Sequence, residues 1–334
     1  VLDWRNRVFK QGQVQNYRFS MNGGNDRTNY SSSFGYIDQS GIVDNSNFSR
    51  LSGNLKVNQK INDKLRGGFN MNIGYTKNVG VITAASQSSN GQNGLITNVS
   101  LFTPVQGRIN VDDAEYDEDG ILISTRDGDI VNPERLANDV TNTNNNINAF
   151  GNAFLEYSPL KGLAIRSSLG SNVNYFRARF FYPGTFGWGR NTNGRARIGS
   201  NQNLNWLNEN TVSYNNTFGI SKINAVLGFT QQRSRFESLV SEAIDFAIPG
   251  VNLDNLAAAN EVLPTRSNGT EWSLLSYIGR FNYTLNERYL FTVTARYDGS
   301  SRFAEGNKWG LFPSAAFAWR LGEEGFIQNI DAIS

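Results

Sequence analysis

Three features of this 334-residue chain predict an all-β fold, a membrane-spanning antiparallel up-and-down β-barrel. Segments of about ten residues alternate apolar and polar side chains, the period of a strand with one greasy and one wet face. Short and long connections between these segments alternate without exception. Aromatic residues gather beside the short connections, as they do where a barrel wall meets a membrane interface.

The elements follow in order. Residues 15–23 set Tyr17, Phe19 and Met21 against Asn16, Arg18 and Ser20. Residues 30–36 carry Tyr30, Phe34 and Tyr36 on one face, interrupted by Ser32. In 51–61, Leu51, Leu55, Val57 and Ile61 oppose Ser52, Asn54, Lys56, Asn58 and Lys60. The cleanest pattern is 65–76, with Leu65, Phe69, Met71, Ile73 and Tyr75 against Arg66, Asn70, Asn72 and Thr76. Further strands are expected at 147–157, 163–176, 204–215, 222–232, 273–284, 289–297 and 309–321, about eleven in all. Each is close to the 9–11 residues that a tilted strand needs to cross a bilayer. Pro313 cannot donate to a ladder, so a bulge or a later start is expected there.

Short turns are expected at 23–29 (GGNDRTN), 62–64, 158–162 (SPLKG), 216–221 and 285–288 (LNER). Between them lie longer polar segments at 38–47, 77–146, 177–200, 237–270 and 298–308. This order puts every short turn at one end of the sheet, where Tyr157, Tyr214, Phe218, Tyr283 and Tyr289 cluster. Within 77–146, the stretch AASQSSNGQNG is low in complexity. Leu95, Val99 and Phe102 then follow at near-helical spacing, predicting a short amphipathic helix that ends before Pro104.

Composition narrows the chemistry. With no Cys and no His, thiolate and imidazole nucleophiles, the common zinc sites and disulfides are excluded. Carboxylate-only catalysis survives, but no pair of carboxyl groups is singled out, so no enzyme and no cofactor are expected. A net charge of +2 gives no footprint for nucleic acid. No run of about 18 apolar residues marks a membrane helix. Mean hydropathy is −0.44, a value that alternating barrel strands also produce. A soluble sandwich, propeller or solenoid would share this composition, but has no reason to alternate its connections or to border its short turns with Tyr and Phe. The N-terminus, VLDWRNRVFKQG, has no charged region followed by an apolar core, which suggests an internal fragment or a trimmed chain.

Candidate sites lie in the long connections. The segment 177–199 concentrates Phe180, Phe181, Tyr182, Phe186 and Trp188 with Arg177, Arg179, Arg190, Arg195 and Arg197. Aromatics beside Arg donors suit stacking on sugar rings or gripping peptide and carboxylate groups. Tyr182, Phe186, Trp188, Arg190 and Arg195 are therefore the candidate contacts for substrate or for a lid; loop-to-loop packing is the alternative use of the same residues. The acidic run at 112–119 mimics the start of a calcium loop, but the closing Glu is replaced by Arg126, so a solvated loop is expected. In DGSSRF, Asp298 to Phe303, the expected role is local: a tight loop with Arg302 pairing nearby.

Several stretches resemble one family. GGNDRTNYSSSFGYIDQSGIVDNSNFSR is similar to the GGN-x-x-T-x-Y…GY-x-x-Q-x-G-I segment of SusC/RagA-type TonB-dependent outer-membrane transporters. Trp4 and Phe9 resemble its lead-in. DGSSRFAEGNKWGLFPSAAFAWRL resembles its DGSSRF…N-x-W-G-x-FPS signature. NPERLAN, LEYSPLKGLAIRSSLG and NLNWLNENTVSYNN are similar to intervening segments, in family order over nearly the whole chain.

The resemblance implies a 22-stranded barrel plugged by an N-terminal domain. Residues 1–334 would then be part of the barrel domain, roughly half of it, with the plug and the C-terminal strands outside this chain. It implies an active importer of glycans or peptides in the outer membrane, multi-pass in the lipid bilayer. A SusD-like surface lipoprotein and the TonB–ExbB–ExbD complex, acting through the missing plug, are the implied partners. A dimer of the transporter–lipoprotein pair fits the same pattern. A passive porin and a secreted β-rich carbohydrate-binding or adhesin module are the alternatives.

Overall fold

A computed structural model describes residues 3–81, 94–103, 115–116, 122–124, 130–185, 187–247 and 253–327. Eleven long strands carry the fold. The first four are β1 (Val14–Gly24), β2 (Thr28–Ser40), β3 (Asn47–Lys60) and β4 (Leu65–Val79). Two short strands, β5 (Glu115–Tyr116) and β6 (Leu122–Ser124), pair with each other. The sheet continues through β7 (Thr141–Leu160), β8 (Leu163–Tyr182), β9 (Arg195–Phe218) and β10 (Ser221–Ile244). A two-residue strand, β11 (Glu261–Val262), pairs with the end of β10 before β12 (Arg266–Leu285), β13 (Tyr289–Ser300) and β14 (Trp309–Trp319). Every long strand pairs antiparallel with its sequence neighbours, in the order β1-β2-β3-β4-β7-β8-β9-β10-β12-β13-β14. The expected up-and-down arrangement is present strand for strand.

The connections alternate as expected. Residues 25–27, 61–64, 161–162, 219–220 and 286–288 close the short rim, and the long connections all fall at the other. Local chemistry makes the short turns. Gly162 sits at φ 84°, and a Cβ there would lie 2.3 Å from the Asn215 carbonyl oxygen. Asn286 and Glu287 both take positive φ, 48° and 56°, the left-handed geometry that a tight hairpin with right-handed twist demands.

Register then aligns side chains into rows. Tyr17, Tyr36, Leu51, Tyr75, Ile147 and Tyr175 stand opposite one another across six strands. Further along, Tyr277 and Tyr297 stack on Trp309, with ring centroids 6.2 and 4.7 Å apart. At the short rim Tyr289 stacks on Trp319 and Tyr283 on Phe291. The apolar face therefore has an aromatic belt at each boundary, where the sequence pattern had indicated the short-turn side. On β4 the band runs from Leu65 to Tyr75, about 33 Å along a strand and about 25 Å in height at a typical barrel tilt. No other described residue covers this band: Phe19, Leu227 and Val293 are 68%, 67% and 55% exposed. A contiguous apolar surface of this kind marks contact with something other than water.

The strands reach farther than alternation indicated. β9 and β10 are 24 residues each, against 12 and 11 expected. Past Phe229, the apolar-face positions of β10 read Gln231, Arg233, Arg235 and Glu237, and the Arg233–Glu271 ion pair (2.7 Å) lies there. Above the band both faces are wet, so the period-2 hydropathy signal vanishes while backbone pairing continues. Pro313 causes no bulge. It sits in register opposite Ala295 on β14, which has one neighbour among the described residues, so its missing N–H costs no described ladder bond. No helix among the described residues is long and apolar enough to cross a membrane.

Candidate functional site

The long-connection rim holds the buried apolar residues of the chain. Three short helices assemble there: α1 (Trp4–Val8), α2 (Leu95–Leu101) and α3 (Pro133–Asn138). α2 is the amphipathic helix expected from the Leu95, Val99 and Phe102 spacing. Asn132 caps α3 by accepting from the Glu134 and Arg135 N–H groups, with Pro133 in the first turn, where no donor is needed. Buried Asn98 accepts from the Val131 N–H at 2.8 Å and so ties α2 to the approach to α3. Trp4 donates from Nε1 to the Thr103 carbonyl and meets Phe102 edge-on. Val8, Val43, Leu95, Val131, Leu136, Val140 and Tyr182 form the resulting core.

Strand parity fixes the side of the sheet on which this cluster lies. Phe180 and Tyr182 share the polar-face parity of β8 and join it, with Val8, Leu95 and Leu136. Phe181, of opposite parity, meets Phe246 edge-on (5.9 Å) in a second cluster with Ala196, Ala243 and Leu253 on the other face. The helical cluster thus sits at the mouth of the polar side. The second cluster lies on the outer face, above the apolar band.

Of the candidate contacts, Tyr182 is fully buried in the first cluster. Arg195 pairs with buried Glu242, which also takes Arg266 at 3.5 Å, so the Glu242 carboxylate clamps β9, β10 and the start of β12. Arg190 is half-buried on α4 (Gly187–Arg190), the helix that also carries Trp188. Phe186 lies outside the described residues. The loops around α4 are stitched by Asp245, which accepts from Asn193 Nδ2 at 2.7 Å and Asn260 Nδ2 at 2.9 Å. These bonds, the Asn193 one foremost, hold its carboxyl below the ordinary range.

Other loop motifs behave as local structure. Asp298 accepts from Arg296 at 2.7 Å and belongs to β13, not to the loop. Arg302 stacks over Trp272 at 5.0 Å in place of the charged pairing expected for it. The acidic run is outside the described residues apart from Glu115 and Tyr116, and no cluster able to hold a metal exists among the described residues.

The polar face is an extended surface that no single motif announced. Its rows are amides and hydroxyls: Ser20, Ser33, Asn54 and Asn72 stand in one row, Asn148, Asn174 and Asn203 in the next. Charges interrupt them. Buried Glu156 takes Arg66 at 2.7 Å and Arg166 at 3.7 Å, and Arg166 also lies over the Phe154 ring at 3.9 Å. A concavity at the β1–β4 end is bordered by Arg18 and Arg50 among Ser, Thr and Asn. Such a wall can hydrogen-bond a polar solute at many points and offers no group set for covalent chemistry. Its signal in the sequence was the wet half of each alternating strand, which locates the face without ranking its members.

With this geometry in place, the relatives are informative. No family model matches the chain. TonB-dependent receptor P3 of Formosa agariphila is 29% identical over 332 residues, 99% of this chain and 33% of the relative. TonB-dependent receptor SusC of Bacteroides thetaiotaomicron is 27% identical over 352 residues, again 99% and 33%. Over nearly its whole length the chain is thus similar to SusC-like TonB-dependent receptors. It spans about a third of the length of the curated relatives that it matches. Among solved structures, the RagAB peptide transporter matches with a TM-score of 0.73 at 23% identity, over 98% of this chain and 36% of that one. The RagAB peptide importer in its closed-closed state gives 0.74 at 21% identity, over 97% and 36%. These matches establish the fold: the sheet is wall of an antiparallel transmembrane β-barrel, an architecture whose apolar face is the lipid side and whose polar face is the lumen side.

Proposed function

We propose that this chain forms part of the barrel of an outer-membrane importer of glycans or peptides, energised through TonB and lidded by a SusD-like lipoprotein. Residues 1–334 are then barrel domain throughout, with the plug and the remaining strands in other parts of the full-length protein. The observation that carries the reading is the pairing of an uncovered apolar band with an amide- and hydroxyl-lined lumen, in a chain aligned end to end with TonB-dependent receptors. The wall separates a hydrated path from lipid, and the long rim receives cargo and lid. Contact at that rim falls to the α4 turn with Trp188, Arg190 and the neighbouring Phe186, while Tyr182 packs in the helical cluster and Arg195 pairs with Glu242.

Uptake of labelled oligosaccharides and peptides by cells carrying the full-length gene tests this. Import is expected to stop when the proton-motive force is collapsed or TonB is deleted, and to fall when the lipoprotein is removed. Flux that persists without proton-motive force would replace the reading with a passive porin. Recovery of the full-length protein in buffer without detergent would replace it with a secreted β-rich module.

A further inference from the structure

Carboxylates are distributed unevenly over the lumen wall. At lumen-facing positions β7–β13 carry Glu156, Glu209, Glu242 and Asp298. The lumen positions of β1–β4 carry none, yet they include Arg18, Arg50, Lys56, Lys60 and Arg66. Lys60 is paired with Asp63 at the short turn and Arg66 with Glu156. Arg18, Arg50 and Lys56 are exposed and have no ion-pair partner among the described residues. Arg18 and Arg50 border the same concavity, together with Ser33, Ser52, Asn54 and Thr76.

Register brings the two arginines within reach of one ligand. Arg18 stands opposite Gly35 on β2, and Arg50 opposite Ile37, two residues along. Their Cα atoms are thus separated by two strand spacings and one two-residue step, on the order of 12 Å. On β2 the line between them passes between Gly35, which has no side chain to obstruct it, and Ile37, which stands beside Arg50 and is uncharged. Two extended guanidinium groups, each a planar fork of donors, can close that gap onto a carboxylate. The surrounding hydroxyls and amides are neutral and do not compete for the charge.

We propose that the lumen wall of β1–β3 is a docking point for the carboxylate of a passing anionic solute, with Arg18 and Arg50 as its two cationic contacts. This rests on the import reading given above and refines it: acidic cargo is preferred to neutral cargo of the same size. The occupant is a dissolved ligand; a carboxylate supplied by another segment of the same full-length chain is the competing source.

The test compares trigalacturonate with neutral trigalactose, binding to the purified full-length receptor in detergent and competing for uptake in cells. Wild type is expected to bind the acidic trimer at least tenfold more tightly at low salt, with the preference shrinking as salt rises. Arg18→Gln with Arg50→Gln is expected to abolish that preference while leaving binding of the neutral trimer and heat-dependent gel mobility unchanged. Equal weakening for both trimers, or a preference that survives the double substitution, overturns the proposal. So does a wild type with no preference whose double variant melts earlier, because the arginines are then holding a carboxylate of their own chain. Loss of proton-motive-force-dependent uptake for every solute tested, in wild type, would instead overturn the import reading.

Discussion

At the scale of single residues, two positions at the short rim carry sharp expectations. Gly162→Ala adds a Cβ 2.3 Å from a carbonyl oxygen at a φ that side chains rarely adopt. It is expected to cost about 1–3 kcal/mol, read as a lower temperature for the loss of fast gel migration. Glu324 accepts from the Tyr289 hydroxyl at 2.8 Å, Arg288 at 2.9 Å and Trp319 Nε1 at 3.1 Å, binding the chain after β14 to the β12–β13 turn. The Tyr289 bond and then the Trp319 bond hold its carboxyl below the usual 4.5. Its stabilisation is complete above that value and is lost as pH falls through the lower folded pKa. A pH series of thermal denaturation is therefore expected to separate wild type from Glu324→Gln above pH 4.5 and to bring them together in stronger acid. Equal separation at every pH would contradict this. At the long rim, Asp245→Ala removes the acceptor for Asn193 and Asn260, and faster cleavage of the 183–194 and 253–265 segments by added protease is the expected readout.

At the scale of strands, adjacent residues belong to different solvents. Val293 is on the lipid face of β13 and Thr292 on the lumen face, where it donates to Asn282. Val293→Arg is expected to cost about 2–4 kcal/mol in a refolding titration, and Thr292→Arg far less, because the charge enters water. A similar cost at both would remove the assignment of faces. The same alternation explains what the sequence disclosed. Within the band, Leu65 to Tyr75 alternate because lipid and water select opposite residue types, so each strand was legible there. Beyond it, Arg233 and Arg235 occupy apolar-face positions, water bathes both sides, and nothing in the pattern says that the ladder goes on. The rim residues are a different case. Tyr182 and Arg195 read as contacts because aromatics and arginines serve binding and packing alike; only the three-dimensional neighbours Leu95, Leu136 and Glu242 distinguish the two. DGSSRF was legible only as having no distant role: Asp298 to Ser300 extend β13 in place of a tight loop, and Arg302 stacks on Trp272 in place of pairing.

At the scale of the whole molecule, orientation is the testable claim. This chain has no Cys, so single introduced cysteines report cleanly once any cysteine elsewhere in the full-length protein is replaced. A membrane-impermeant maleimide added to intact cells is expected to label Asn193→Cys at the long rim. Lys161→Cys at the short rim should label only after the outer membrane is opened. The reverse pattern would invert the barrel.

The length of β9 and β10 has a further consequence. From Gln231 to Ile244, β10 continues past the lipid band for about 45 Å of strand, or about 35 Å of height at a typical tilt. On the proposed outer-membrane reading, the entrance is therefore the top of a chimney that stands clear of the lipid band. Whatever docks on that chimney, whether lid, prey molecule, antibody or phage, meets it in open medium and need not burrow toward the bilayer.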